Sequence, residues 1–351
     1  MSQFSIHNIA AKGMAATVPQ NTVYNNEYTL LSEKERKLLI KTTGVEEKRA
    51  AEKGMTTSDL CYESADRLLD QLKWDRAEVD ILIFVSQSSD YYLPATAIIL
   101  QDRLGLPKSC MAFDIGLGCS GYVYGLSVLS ALMSASKMKK GLLLTGDVSS
   151  ATCSYEDKST YPLFGDAGTV TALEYDESSD PIHFNLQNDG SGYDKIIIED
   201  GGMRNLVTEK SLVKKEVAKG VVRASLNVAL KGMDVFNFSV TEVPKSIREF
   251  CTYAEKSIED YDFLLLHQAN KLMNETIRKK LKYPIEQTPY SINKFGNTSS
   301  ASIPLTIVTE LRNQVASQKL DLLLSGFGVG LSWGVCNLPL DKIACLNLVE
   351  L

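Results

Sequence analysis

Short runs of uninterrupted apolar residues alternate along this chain with longer stretches in which apolar side chains recur every three or four positions. Asp80-Ile81-Leu82-Ile83-Phe84-Val85, Gly141-Leu142-Leu143-Leu144, Phe263-Leu264-Leu265-Leu266 and Leu322-Leu323-Leu324 offer no polar face, as expected of strands covered on both sides. Between them, Leu60, Cys61, Ala65, Leu68, Leu69 and Leu72 fall on one face of a helix from Thr57 to Leu72, with Thr57 or Ser58 as its expected N-cap. Thr306 to Val315 has the same character. The alternation predicts an α/β protein.

The order of elements recurs. VDILIFVSQSS is followed by GLGCSG, an uncharged stretch and GLLLTGD; later, YDFLLLHQAN is followed by FGNTSSAS, a helical pattern and DLLLSGFG. Gly146 lies 27 residues after Cys119, and Gly326 lies 29 after Asn297. This near-equality predicts two related halves, 1–176 carrying the cysteine and 177–351 carrying the histidine and asparagine, with Cys119 and Asn297 at equivalent helix starts. The YDESSDP segment, Tyr175 to Pro181, concentrates acidic, Ser and Pro residues at the boundary.

Ile115 to Ser136 has no charged residue over 22 positions, yet nine of them are Gly or Ser. That dilutes the hydrophobicity needed for a bilayer span and predicts instead a helix buried on all sides. With 44% hydrophobic and 23% charged residues in 351, a large core is available and disorder is excluded. The formal charge of −6 offers no general nucleic-acid-binding surface. Seven cysteines without a C-x-x-C pair fit a reduced compartment and no zinc ribbon. The N-terminal MSQFSIHNIAAKGM lacks a basic start and an apolar run, so the expected location is cytoplasmic.

Gly116-Leu117-Gly118-Cys119-Ser120-Gly121 reads as G-x-G-x-x-G after the strand-like Met111 to Ile115, a dinucleotide fingerprint. The same geometry would present helix N-terminal N–H groups to the Cys119 sulfur and favour a thiolate nucleophile. His267 ends a strand, where α/β proteins place their sites. Asn297 follows Phe295-Gly296, where a turn or N-cap role competes with a donor role. Gly326-Phe327-Gly328-Val329-Gly330 is either a tight turn or an oxyanion loop. A cysteine with a histidine also fits a protease or an amidase.

The wording of these segments separates the classes. Phe113-Asp114-Ile115-Gly116-Leu117-Gly118-Cys119-Ser120-Gly121, Leu266-His267-Gln268-Ala269-Asn270, Phe295-Gly296-Asn297-Thr298-Ser299 and Gly326-Phe327-Gly328-Val329-Gly330-Leu331-Ser332-Trp333-Gly334 resemble the β-ketoacyl-acyl-carrier-protein synthase III family of the thiolase superfamily. Thr43-Gly44-Val45, Leu93-Pro94-Ala95-Thr96-Ala97, Gly146-Asp147 and Leu163-Phe164-Gly165-Asp166-Ala167-Gly168 extend the match over nearly the whole chain. The resemblance implies a duplicated thiolase-like fold with five layers, αβαβα, and a homodimer. It implies Cys119 as nucleophile, His267 and Asn297 as its partners, and the backbone of Cys119, Gly328 and Val329 as oxyanion hole. Thioester substrates, acyl-CoA or acyl-carrier protein and then malonyl-acyl-carrier protein, would suffice without metal or other cofactor.

Gln268, Ala269, Asn270, Lys271 and Leu272 match the family's carrier-protein contact segment, and Lys279 and Lys280 lie in a basic cluster that could receive an acidic carrier protein. Leu93 stands where a partner-subunit phenylalanine often shapes the acyl pocket. Leu38, Thr42 and Lys158 stand where the family's coenzyme A grip has an aromatic residue and arginines, which points toward a carrier-protein donor. Rival readings are an acyltransferase of the same fold that passes the acyl group to an amine, hydroxyl or aromatic acceptor, a non-catalytic carrier-binding subunit, and a nicotinamide-dependent dehydrogenase. Neither a nucleic acid nor a membrane is an expected partner.

Overall fold

The computed structural model describes residues 2–351. Two mixed sheets dominate it. The first runs in the order β17 (Ala344–Cys345), β2 (Ile9–Val18), β8 (Asp166–Tyr175), β7 (Lys140–Val148), β5 (Ile81–Val85), β6 (Met111–Ile115), with β18 (Val349–Glu350) also on β2. The second runs β1 (Ser2–Ile6), β9 (Ile182–Asn188), β16 (Ser332–Asp341), β15 (Lys319–Gly328), β14 (Phe263–Leu266). Three two-stranded ribbons decorate them: β3 (Thr22–Tyr24) with β4 (Glu47–Arg49), β10 (Ile196–Ile197) with β13 (Ala229–Leu230), and β11 (Lys215–Ala218) with β12 (Val221–Arg223).

The sheets repeat one topology. In each, a parallel pair (β5 with β7, β14 with β15) continues into an antiparallel hairpin (β7 with β8, β15 with β16) and then an antiparallel neighbour (β2, β9). The chain ends are exchanged, however. β1 pairs with β9 of the second sheet, while β17 and β18 pair with β2 of the first. A division at 176/177 falls between β8 and β9, and each sheet takes its outermost strand from the other end of the chain.

Helices α4 (Gly121–Ser136) and α8 (Ser302–Glu310) lie between the sheets, α4 touching β5 and β7 on one side and β15 and β16 on the other. α2 (Thr57–Leu72) and α3 (Thr96–Arg103) cover the outer face of the first sheet, and α5 (Gly232–Tyr253) and α6 (Lys271–Leu281) cover that of the second. These are the five layers, αβαβα. Sandwiching explains the uncharged stretch: Tyr122, Val123, Leu126, Leu129 and Met133 of α4 are all buried, each worth roughly 1.5–3 kcal/mol of removed apolar surface. No helix among the described residues is long and apolar enough to cross a membrane.

Three local expectations change. The N-cap of α2 is Thr56, in a reciprocal capping box with Asp59; Thr57 and Ser58 sit inside the first turn, their hydroxyls bonded to Ser88 and Asp90. The helix predicted over Thr306 to Val315 starts earlier and divides at Leu311 into α8 and α9 (Arg312–Ser317). Helix α4 opens at Gly121, so Cys119 lies in the preceding loop.

Candidate active site

β6 delivers the chain to Cys119 at the carboxyl edge of the first sheet. There the loop is pressed against the end of β15. A Cβ on Gly326 would come within 3.0 Å of Ser120 Cα, and one on Gly328 within 2.6 Å of Cys119 Cβ and 2.8 Å of its Sγ. Ser120 Oγ and Ser332 Oγ, 2.6 Å apart, tie the two segments together. Protein main chain thus fills the end of α4 where the dinucleotide reading would rest a pyrophosphate. Gly121 packs its Cα against Val85, and a Cβ there would meet Cγ1 at 2.7 Å.

Cys119 is only 6% exposed. Burial pushes its thiol up to about 11, against the opposing pull of the Val329 N–H, the Ser299 hydroxyl and its own N–H, while the Asp147 charge pushes further upward. Burial thus opposes the thiolate that the helix start favours. A helix terminus supplies roughly 0.3–1 kcal/mol, less than the roughly 3 kcal/mol to which the net upward shift corresponds. The N–H groups of Val329 and Cys119 nonetheless bear on the sulfur, as donors to charge developing there must. Gly328 contributes by lacking a side chain.

His267 follows β14 and is buried, its ring edge-on to Phe327 with centroids 5.6 Å apart. Its Nδ1 is 2.7 Å from Ser302 Oγ, which also accepts the Gln268 N–H at 3.3 Å. When the Ser302 hydroxyl donates to Nδ1, the neutral ring carries its proton on Nε2. Burial pushes the imidazole down to about 3, so it is neutral near pH 7. Asn297 is held by its main chain, its N–H donating to Leu163 O at 2.8 Å and its carbonyl accepting from Gly165 N at 3.0 Å. Its Oδ1 accepts the Ser299 N–H at 2.9 Å, which leaves Nδ2 as the amide's free donor.

Cys119 lines two cavities. One, of about 200 Å³, also has His267, Asn297, Phe327, Gly328 and Val329 in its wall. The other, of about 340 Å³, is mostly apolar, with Val148, Phe164, Ile196, Ile197, Ile198 and Val228. Its polar corner holds Ser299 and Asp147, whose Oδ1 accepts from Gln87 N at 2.7 Å, Ser86 Oγ at 3.0 Å and Ser88 Oγ at 3.1 Å. Burial raises the Asp147 carboxyl. Sequence reasoning missed Ser299 and Ser302 as parts of the site; the run Thr298-Ser299-Ser300-Ala301-Ser302 was the available signal.

The carrier-protein segment divides. Gln268 is buried, donating to Leu266 O at 2.8 Å and accepting from Ser291 N at 3.2 Å, which corrects its assignment as a surface contact. Asn270 caps α6 by accepting from Met273 N at 2.8 Å, and Ala269 faces the smaller cavity beside it. Lys280 Nζ is committed to Val240 O at 2.8 Å. Lys271, Leu272 and Lys279 are exposed. Leu93 is 82% exposed and lines neither Cys119 cavity.

Residues 113–190 match the family model for 3-oxoacyl-[acyl-carrier-protein] synthase III, and residues 251–339 match the model for its C-terminal part. The chain is 31% identical to the β-ketoacyl-[acyl-carrier-protein] synthase III of Ehrlichia canis over 92% of this chain and 97% of that protein. Among solved structures, the 3-oxoacyl-(acyl-carrier protein) synthase of Burkholderia xenovorans superposes with a TM-score of 0.94, at 35% identity over 99% of both chains. The synthase III of Pseudomonas aeruginosa superposes with a TM-score of 0.82, at 27% identity over 96% of this chain and 99% of that one. The chain belongs to the 3-oxoacyl-acyl-carrier-protein synthase III family.

Proposed function

We propose that the protein catalyses a decarboxylative Claisen condensation between an acyl group carried on Cys119 and malonyl-acyl-carrier protein. The observation that carries this reading is the position of Cys119 between two cavities, one apolar and one furnished with two fixed neutral donors, His267 Nε2 and Asn297 Nδ2. The Cys119 sulfur attacks a thioester carbonyl, the N–H groups of Cys119 and Val329 hold the oxyanion, and the departing thiol leaves an acyl-cysteine. The apolar cavity receives the acyl chain.

Malonyl thioester then enters on the His267 side. As its C–C bond to the carboxylate breaks, the electron pair moves into an enolate whose oxygen accepts from His267 and Asn297. Carbon dioxide leaves, and the enolate carbon attacks the acyl-cysteine and expels the Cys119 sulfur. A histidine this hard to protonate suits donation of a hydrogen bond to a developing oxyanion, since it stays neutral throughout. No step calls for a metal or a redox cofactor.

An acyl carrier protein is the proposed partner, with the exposed Lys271, Leu272 and Lys279 on α6 as the basic and apolar contacts that remain available. A homodimer is proposed on the state of β6. It is the unpaired edge of its sheet, with its Met111 exposed, an open strand edge that proteins normally cover, and Tyr91, Tyr92 and Leu93 are exposed as well. In that assembly Leu93 would reach the partner's acyl cavity.

Intact-protein mass spectrometry tests the reading. Incubation with a panel of acyl-CoAs and acyl-carrier proteins should place an adduct on Cys119 that disappears, with β-ketoacyl product, when malonyl-carrier protein is added. An adduct that persists with malonyl-carrier protein but transfers to an amine or alcohol would overturn it.

A further inference from the structure

Acylation requires Cys119 to lose a proton, and the histidine is badly placed to take it. Its Nδ1 is engaged by Ser302, 2.7 Å away, and burial makes its imidazole hard to protonate. The larger cavity holds a different candidate. Asp147 Oδ1 is saturated by three donors, while its Oδ2, fully buried, makes no hydrogen bond among the described residues. Such an orphaned carboxylate oxygen is costly unless something uses it.

The Ser299 hydroxyl borders the same cavity as the two groups. It would stand 3.2 Å from a Cβ on Gly118, beside the nucleophile. This hydroxyl works against the upward push that burial gives both the Cys119 thiol and the Asp147 carboxyl. Ser299 has φ +51, a left-handed conformation that non-glycine residues rarely adopt. The Asn297 Oδ1 bond to its N–H helps to hold it there.

We propose that Asp147, acting through the Ser299 hydroxyl, is the base that accepts the Cys119 proton. As sulfur bonds to the acyl carbon, the thiol proton passes to Ser299 Oγ and the Ser299 proton passes to Asp147 Oδ2. One negative charge is present throughout: it leaves the carboxylate, resides on the tetrahedral oxyanion, and departs with the leaving thiolate. That thiolate takes the proton back by the reverse route, restoring the carboxylate. In this relay Ser299 takes the proton from the reacting sulfur and is catalytic in that sense; Asp147 acts through it. The inference deepens the condensing-enzyme reading and rests on it for the identity of the electrophile.

The test follows alkylation of Cys119 by iodoacetamide, read on its own peptide by mass spectrometry from pH 6 to 10, in wild type, Ser299→Gly and Asp147→Asn. Glycine suits φ +51, so Ser299→Gly keeps the fold. The wild-type rate should level off once Asp147 is ionised. Both variants should react about a hundredfold more slowly at pH 7, the low end of the range for general-base assistance, and should rise about tenfold per pH unit as a plain buried thiol does. Acylation by thioester should fall in parallel. Wild-type alkylation rates and profiles in both variants would overturn the relay. Alkylation that depends on both residues, in a wild-type protein that no thioester acylates, would support the relay and remove the condensing activity instead.

Discussion

Gly328→Ala is the sharpest perturbation of the site because the added atom has nowhere to go. Its Cβ would sit 2.6 Å from Cys119 Cβ and 2.8 Å from Sγ, where unstrained contacts need about 3.5 Å or more. Relief requires a separation of nearly 1 Å between the end of β15 and the Cys119 loop. The loop is tied to β16 through Ser120 and Ser332, and β15 pairs with β16 along its whole length, so the strain cannot be shed locally. Overpacking of this kind costs about 1–3 kcal/mol. The same displacement draws the Val329 N–H from the sulfur, and misplacement by about 1 Å is worth a factor of roughly 100 in rate. Gly116→Ala is the matched control, since a Cβ there meets nothing within 4 Å. Acyl-adduct formation on Cys119, timed by intact mass, should fall about 100-fold in Gly328→Ala, with a melting temperature several degrees lower, and should stay within twofold of wild type in Gly116→Ala. Near-normal acylation in Gly328→Ala would refute the close approach as the reason for glycine. Loss of activity in Gly116→Ala would show that the G-x-G spacing has a role this geometry does not supply.

Ser302→Ala removes the hydroxyl that orients His267; malonyl decarboxylation should fall about tenfold, the worth of one buried hydrogen bond, with acylation of Cys119 within twofold, and equal losses in both steps would refute the assignment. Lys48 is fully buried, its Nζ 4.1 Å above the Tyr161 ring, and burial pushes its ammonium down to about 8. Because the unfolded chain then holds the extra proton between pH 8 and about 10.4, Lys48 penalises folding most below pH 8 and stability gains as pH rises through that window. Urea unfolding at pH 7.5 and 10 should show wild type gaining roughly 2 kcal/mol relative to Lys48→Met; a constant difference would refute the burial effect. Tyr92→Asp with Leu93→Asp should convert a dimer to a monomer by light scattering, and a dimer that survives would move the interface elsewhere.

The apolar runs, the amphipathic face of α2 and the uncharged stretch of α4 were legible in the sequence because strand and helix periodicity are local properties of side-chain order. So was the duplication, since each half folds its own β-α-β order. The wording around Cys119, His267 and Asn297 pointed to the family because short segments that build a site tolerate few alternatives. Exchange of the outer strands was not legible: β1, β17 and β18 are short, and nothing in a five- or two-residue strand says which sheet edge it will meet.

The state of the catalytic groups was decided only by the tertiary structure. Cys119 and His267 come from different sheets, and it is the burial between those sheets that turns an expected thiolate into a thiol near 11 and makes the imidazole a neutral donor. The same packing hid Gln268 inside and left Lys271 and Lys279 outside. It also brought Ser299 beside Asp147 from the other half of the chain. Residue identity fixes what a group can do, but its protonation and its partners follow from how much water and which neighbours the fold leaves around it.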